Sequence, residues 1–114
     1  MNRNLRSKKM LAAARGQSCV NCHKNDGTIV AAHYQGLRGN TFGRGTGIKC
    51  HDLLVADLCS VCHTQADSYD WSDDRLKWKR KIETSERFMF CILQTLIRRV
   101  RQGVITIDDL KGLL

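Results

Sequence analysis

A chain of 114 residues holds one small domain, and 42% hydrophobic residues exclude disorder throughout while leaving a core that is marginal without a cross-link. No run approaches the roughly 18 apolar residues of a membrane span, and the absence of proline excludes a proline-rich linker. The balance of 19 Lys and Arg against 11 Asp and Glu, a formal charge of +8, suits a polyanionic partner, of which nucleic acid is the commonest.

Arg3, Arg6, Lys8, Lys9 and Arg15 make residues 1–15 a basic arm, either loose or turning through a short helix that Gly16 ends. Only residues 10–14 are apolar after the first charges, too short a run for a secretory leader, so the expected location is cytoplasmic. Cys19 and Cys22 close a tight knuckle. Residues 28–34 are rich in β-branched side chains and read as a strand. Residues 36–47 hold five glycines together with Arg38 and Arg44, the composition of a flexible loop. Residues 52–58 form a second apolar run ending at Cys59, and a short helix is expected from Cys62 or His63. Residues 84–102 are the clearest helix, with Phe88, Cys91, Ile92, Thr95, Leu96 and Val100 at helical spacing and Gly103 placed for a C-cap. One last turn is expected from Thr106.

One motif occurs twice. Cys19-Val20-Asn21-Cys22-His23 and Cys59-Ser60-Val61-Cys62-His63 are both C-x-x-C-H, the attachment motif of c-type haem. Haem is not expected here. It would require export, two porphyrins would consume most of the core, and aromatic residues make up only 6% of the chain. The alternative is structural zinc. Cys19, Cys22, Cys59 and Cys62 supply four thiolates in two pairs, each pair able to face one ion, with the intervening chain folding back to close a tetrahedral site. Metal binding then provides folding free energy that a small core lacks. Cys91 falls on the apolar stripe of the long helix and reads as core. Cys50 is either a buried strand residue or a substitute ligand.

Further residues carry a resemblance. Ala13-Ala14-Arg15-Gly16, Cys19, Ala32-His33, Gly45-x-Gly47-x-Lys49-x-x-Asp52 and Leu58-Cys59-x-x-Cys62-His63-x-x-x-Asp67 resemble the YbcO-like predicted nucleases of phages and prophages. That group is similar to the HNH, or ββα-metal, endonucleases built on a treble-clef zinc knuckle. The resemblance spans about residues 11–70. It implies a small α+β domain with a basic arm over 1–15, a zinc-knuckle HNH-like core over 16–82, and a C-terminal helix and tail over 83–114.

The resemblance also implies a metal-dependent DNA endonuclease acting in phage or prophage DNA processing or recombination. The alternative is a zinc-stapled module that binds nucleic acid without cutting it. Hydrolysis of a phosphodiester needs an activated water and stabilised charge on the phosphate. His33 stands where HNH enzymes keep their general base, at the end of a strand, and an imidazole suits that task at working pH. His63 and Asp67, four apart on a helix opening at the knuckle, would share one face and offer an imidazole and a carboxylate to a catalytic Mg²⁺ or Mn²⁺. Ala32 precedes His33, where many HNH enzymes carry Asp or His. Asp52, expected on the second strand, would orient His33 or complete the metal site, and alternation would turn His51 to the other face. Arg15, Arg38, Arg44 and Lys49 are candidate DNA-phosphate contacts, the glycines beside the last three allowing close approach. Trp71 and Trp78 flank a basic run, and core packing is the preferred role over base stacking. The long helix must lay its stripe on the knuckle or on a second subunit, so a homodimer is a further expectation.

Overall fold

A computed structural model of the chain describes residues 5–45 and 48–111, leaving the side chain of Phe42 aside. Arg3, Gly47 and the last three residues of the expected tail therefore lie outside the described residues. Within them the chain is α+β. Helix α1 (Lys8–Ala12) is followed by strand β1 (Val30–His33), a single 3₁₀ turn (Gly39–Phe42), strand β2 (Val55–Leu58), helix α2 (Ser60–Asp67), helix α3 (Lys77–Arg101) and helix α4 (Ile107–Lys111). The strands form a two-stranded antiparallel sheet in which Val30 faces Leu58, Ala31 faces Asp57, Ala32 faces Ala56 and His33 faces Val55.

Each element has a local cause. Ser7 caps α1, its hydroxyl accepting the Met10 N–H, and Met10 is the fully buried residue that fixes the helix to the body. Every residue of β2 is buried, which is why its sequence reads as a short apolar run rather than an alternation. Helix α2 starts at Ser60, two or three residues earlier than expected, because the Cys59 sulfur itself serves as N-cap and accepts the Cys62 N–H. Helix α3 starts at Lys77 rather than residue 84. The added turns carry charge and mostly face solvent, so they hold no apolar period to betray them. Gly103 follows the helix in the left-handed conformation at φ 73°, the expected C-terminal stop.

The core lies between β1–β2 and α3. Ala32, Ala56 and Leu58 meet Phe88, Cys91 and Ile92, and Tyr34 and Trp71 pack edge-on against Phe88 with ring centroids 5.7 and 5.9 Å away. Trp71 is thus a packing residue, its Nε1 donating to Gln65, whereas Trp78 is exposed. Val100 does not belong to the buried stripe. Arg99 takes the inward place because it has a partner there. Its guanidinium reaches Asp57 Oδ1 at 2.8 Å and Oδ2 at 3.0 Å, while Nε donates to the Met10 carbonyl. Arg98 adds a second donor to Asp57 Oδ2 at 3.0 Å, so a fully buried carboxylate is matched by two cations.

Candidate metal centre and cationic cleft

The four thiols of the two C-x-x-C pairs converge. The Sγ atoms of Cys19, Cys22, Cys59 and Cys62 all lie within 4.8 Å of one another, and those of Cys22 and Cys59 are 3.7 Å apart. A tetrahedral ion with Zn–S bonds of about 2.3 Å sets its sulfurs about 3.8 Å apart, so the donor set and its size fit zinc. Three of the four are buried, and Cys22 faces solvent. Backbone N–H groups point at the sulfurs, Cys22 N at Cys19 and Cys62 N at Cys59, both at 3.5 Å. Asn21 donates its side-chain N–H to Cys62 Sγ at 3.3 Å and is itself held by Arg87 of α3.

Without a cation these thiols differ widely. Burial would raise Cys19, but the N–H groups around it outweigh that and bring it down to about 7. Burial pushes Cys62 up to about 12. For all four to be thiolates at such spacing, an ion would have to offset their mutual repulsion.

The two C-x-x-C-H segments, alike in sequence, differ in conformation. In the first, His23 N donates back to the Cys19 carbonyl at 2.8 Å and His23 takes the left-handed conformation at φ 69°, turning the chain toward β1. In the second, His63 N makes the same bond to Cys59 at 2.9 Å, but the chain continues as α2. Neither imidazole belongs to the thiol cluster. Cys50 and Cys91 are outside it too. Cys50 donates its thiol to the carbonyls of Tyr34 and Gly39, which makes it a buried loop residue, and Cys91 is core.

His33 sits at the opposite end of the ladder. Its Nε2 lies 2.8 Å from Asp52 Oδ1. Asp52 is not on β2; it lies in the turn before it and is 2% exposed. What holds it is the N-terminal segment. Ser7 N donates to Asp52 Oδ2 at 2.7 Å, Arg6 approaches Oδ1 at 3.4 Å, and Asp52 N donates to the Leu5 carbonyl at 2.9 Å. Arg6 also donates to the carbonyls of Cys50 and Lys49. His51, expected on the other face, faces the same segment: its Nδ1 accepts the Leu5 N–H at 2.9 Å. The alternation argument fails because neither residue is in a strand. His51 Nε2 is buried with no hydrogen-bond partner among the described residues. Burial, and then the Arg6 charge, lower the His51 pKa against the opposing pull of Asp52.

His33 opens onto a cleft of about 500 Å³ whose walls include Lys8, Arg15, Lys49 and Ala31. Two of the four candidate phosphate contacts, Arg15 and Lys49, thus share a cavity with His33, joined by Lys8. The other two are elsewhere. Arg44 spends its guanidinium on the carbonyls of Gln35 and Gly36, stapling the glycine-rich loop, and Arg38 stands beside Leu37 and Met89. His63 and Asp67 do pair at one turn's separation, 3.3 Å apart and both partly exposed, but neither lines the His33 cleft. Among the described residues, the thiol cluster is the single group of three or more His, Cys, Asp or Glu positioned to share an ion.

Arg6, Ser7 and Lys8 were not legible as site residues. Arg6 and Ser7 lie more than 40 positions from the turn they bind, Lys8 only lines the cleft, and in the sequence nothing but the charge of Arg6 and Lys8 shows. The chain matches no protein-family model, and no curated protein or solved structure matches it either.

Proposed function

We propose that this chain is a zinc-stapled, metal-dependent DNA endonuclease of the treble-clef ββα type, with His33 as general base. The observation that supports this most is the arrangement along one short sheet. A cysteine knuckle, two antiparallel strands and a helix opening on the second cysteine pair follow in order, with His33 on Asp52 at the mouth of a cationic cleft.

In this reading Asp52 accepts the Nε2–H of His33, which fixes the ring orientation and leaves Nδ1 with a free lone pair. Nδ1 takes the proton from a water attacking phosphorus, while Lys8, Arg15 and Lys49 neutralise the phosphate backbone. The thiol cluster serves stability rather than chemistry. His63 and Asp67 would hold a Mg²⁺ or Mn²⁺ through an imidazole nitrogen and a carboxylate oxygen; such an ion would supply Lewis-acid stabilisation to the phosphate and leaving oxygen where the DNA backbone reaches from the His33 cleft to that pair. The biological setting that goes with the reading is DNA processing or recombination in a phage or prophage.

A second reading, a nucleic-acid-binding module that does not cut, draws on a specific observation. The His63–Asp67 pair stands outside the His33 cleft, and Asp52 is already committed to Ser7 and Arg6. The test is zinc-loaded protein incubated with supercoiled plasmid and a branched DNA in Mg²⁺, Mn²⁺ or EDTA, beside His33→Ala. Cutting that needs the divalent ion and disappears in the variant supports the nuclease. Retarded DNA in a gel shift without cutting in any condition selects the binding module.

A further inference from the structure

Helix α3 presents two faces. The inner one carries Phe88, Cys91, Ile92 and Thr95 into the core. The outer one exposes Ile82, Met89, Leu93, Ile97 and Val100, with Leu93 58% and Val100 60% accessible. Spacings of 7, 4, 4 and 3 residues put these five on one line about 27 Å long, at 1.5 Å per residue. An apolar stripe of this length, broken only by Glu86, is the mark of an interface rather than of a solvated surface. Beside its midpoint lies an apolar hollow of about 180 Å³ lined by Tyr34, Leu54, Met89, Ile92, Leu93 and Leu96. Phe90, also 58% accessible, projects from the other flank of the stripe.

We infer that this face binds a second copy of the chain, the two α3 helices packing antiparallel about a two-fold axis at Leu93. Self-complementarity identifies the occupant. With the axis at Leu93, residues equally far from it and on the same flank of the stripe face each other, so Phe90 meets Ile97, and Met89 meets Leu96 at the rim of the partner copy's hollow. Each copy therefore carries both the projecting Met89 and the recess it approaches, as an isologous interface requires. The charges agree. Glu86 lies on the first half of the stripe and Arg101 at its far end; both are exposed, and neither is in an ion pair among the described residues. Antiparallel packing brings Glu86 of one copy to Val100 and Arg101 of the other, twice. Parallel packing would instead set each charge against its own kind. This inference does not depend on nuclease activity.

Zinc-loaded protein examined by sedimentation equilibrium from 1 to 100 µM tests it. The expected species has twice the mass of the chain. Leu93→Glu is exposed and so spares the fold, which an unchanged zinc content and circular dichroism verify; it weakens association by about 100-fold or more. Glu86→Arg and Arg101→Glu each weaken it by about 10-fold, and the double reversal restores it. A monomer at 100 µM overturns the proposal. So does a dimer indifferent to Leu93→Glu, which would lie on another face. A dimer broken by Leu93→Glu but not restored by the double reversal overturns the antiparallel arrangement.

Discussion

At the Val30–Leu58 end of the β1–β2 ladder, four thiols from two short motifs meet. At the His33–Val55 end, an imidazole rests on a carboxylate that the N-terminal segment holds in place. The first end is built from contacts within two four-residue turns, brought together by a donor set that fits one ion. The second is built from single hydrogen bonds between residues 45 or 46 apart in sequence. One end is therefore self-contained, and a bound ion would make it strong. The other depends on a strap, Leu5 to Ser7, whose removal would loosen the imidazole without disturbing the thiols.

The largest effect expected from this contrast is at the thiol end. Cys62→Ala, or removal of the ion by a chelator, forfeits metal-binding free energy of about 10 kcal/mol or more, beyond what a domain of this size can lose. Elemental analysis should find one zinc per wild-type chain and none in the variant, and thermal unfolding should lose its cooperative transition. Cys50→Ala and Cys91→Ala should keep the zinc. Metal loss from either would mean that the ligand set is not the one described.

The next effect concerns the middle of the ladder, which ties both ends to α3. Asp57→Ala leaves Arg98 and Arg99 facing the interior without their anion, a loss of about 3–5 kcal/mol. Urea unfolding of the zinc-loaded variant measures it. An Asp57→Ala stability within 1 kcal/mol of wild type, as an order-of-magnitude bound, would show that α3 is held by its apolar face alone.

Legibility follows the same division. The thiol pairs, the two strands and the long helix were readable because their signals are local: a fixed spacing, a β-branched run, a 3.6-residue period. Arg99 was unreadable because a charge inside an apolar stripe is explained only by Asp57, 42 residues away. Asp52 was correctly joined to His33, yet for the wrong placement. The turn residue looked like the start of a strand, since the apolar run from Leu53 onward continues into β2 without a break. Arg44 was read as a phosphate contact from its glycine-rich surroundings. What the composition could not show is that the Arg44 guanidinium donates to the Gln35 and Gly36 carbonyls at the start of the loop.

Asp52→Ala probes the weaker end. It removes the acceptor for Ser7 N–H, Arg6 and His33, at a cost of about 1–3 kcal/mol, while the zinc stays bound. Amide hydrogen exchange at residues 5–10 should quicken, with no change around residues 59–67. If the proposed chemistry holds, cleavage falls by about 100-fold as His33 loses its orientation. Exchange rates that rise equally at both ends would dissolve the distinction between them.

The smallest effect is a pH dependence confined to the strap. Burial and the Arg6 charge hold His51 below its ordinary 6.5, so the native state resists a proton that the unfolded chain accepts. The sign follows: above about 6.5 both states are neutral at this residue and its contribution is constant. Below that, the unfolded chain binds more protons, and stability falls until the pH passes the depressed native value. Protonation also strips Nδ1 of the lone pair that accepts the Leu5 N–H, so the strap should release before the body unfolds. Exchange of the Leu5 and Ser7 amides measured from pH 7.5 to 5 should speed up beyond the intrinsic trend below about 6.5, and His51→Ala should abolish that excess. Excess exchange that persists in His51→Ala would show that the pH sensitivity of the strap does not arise at His51.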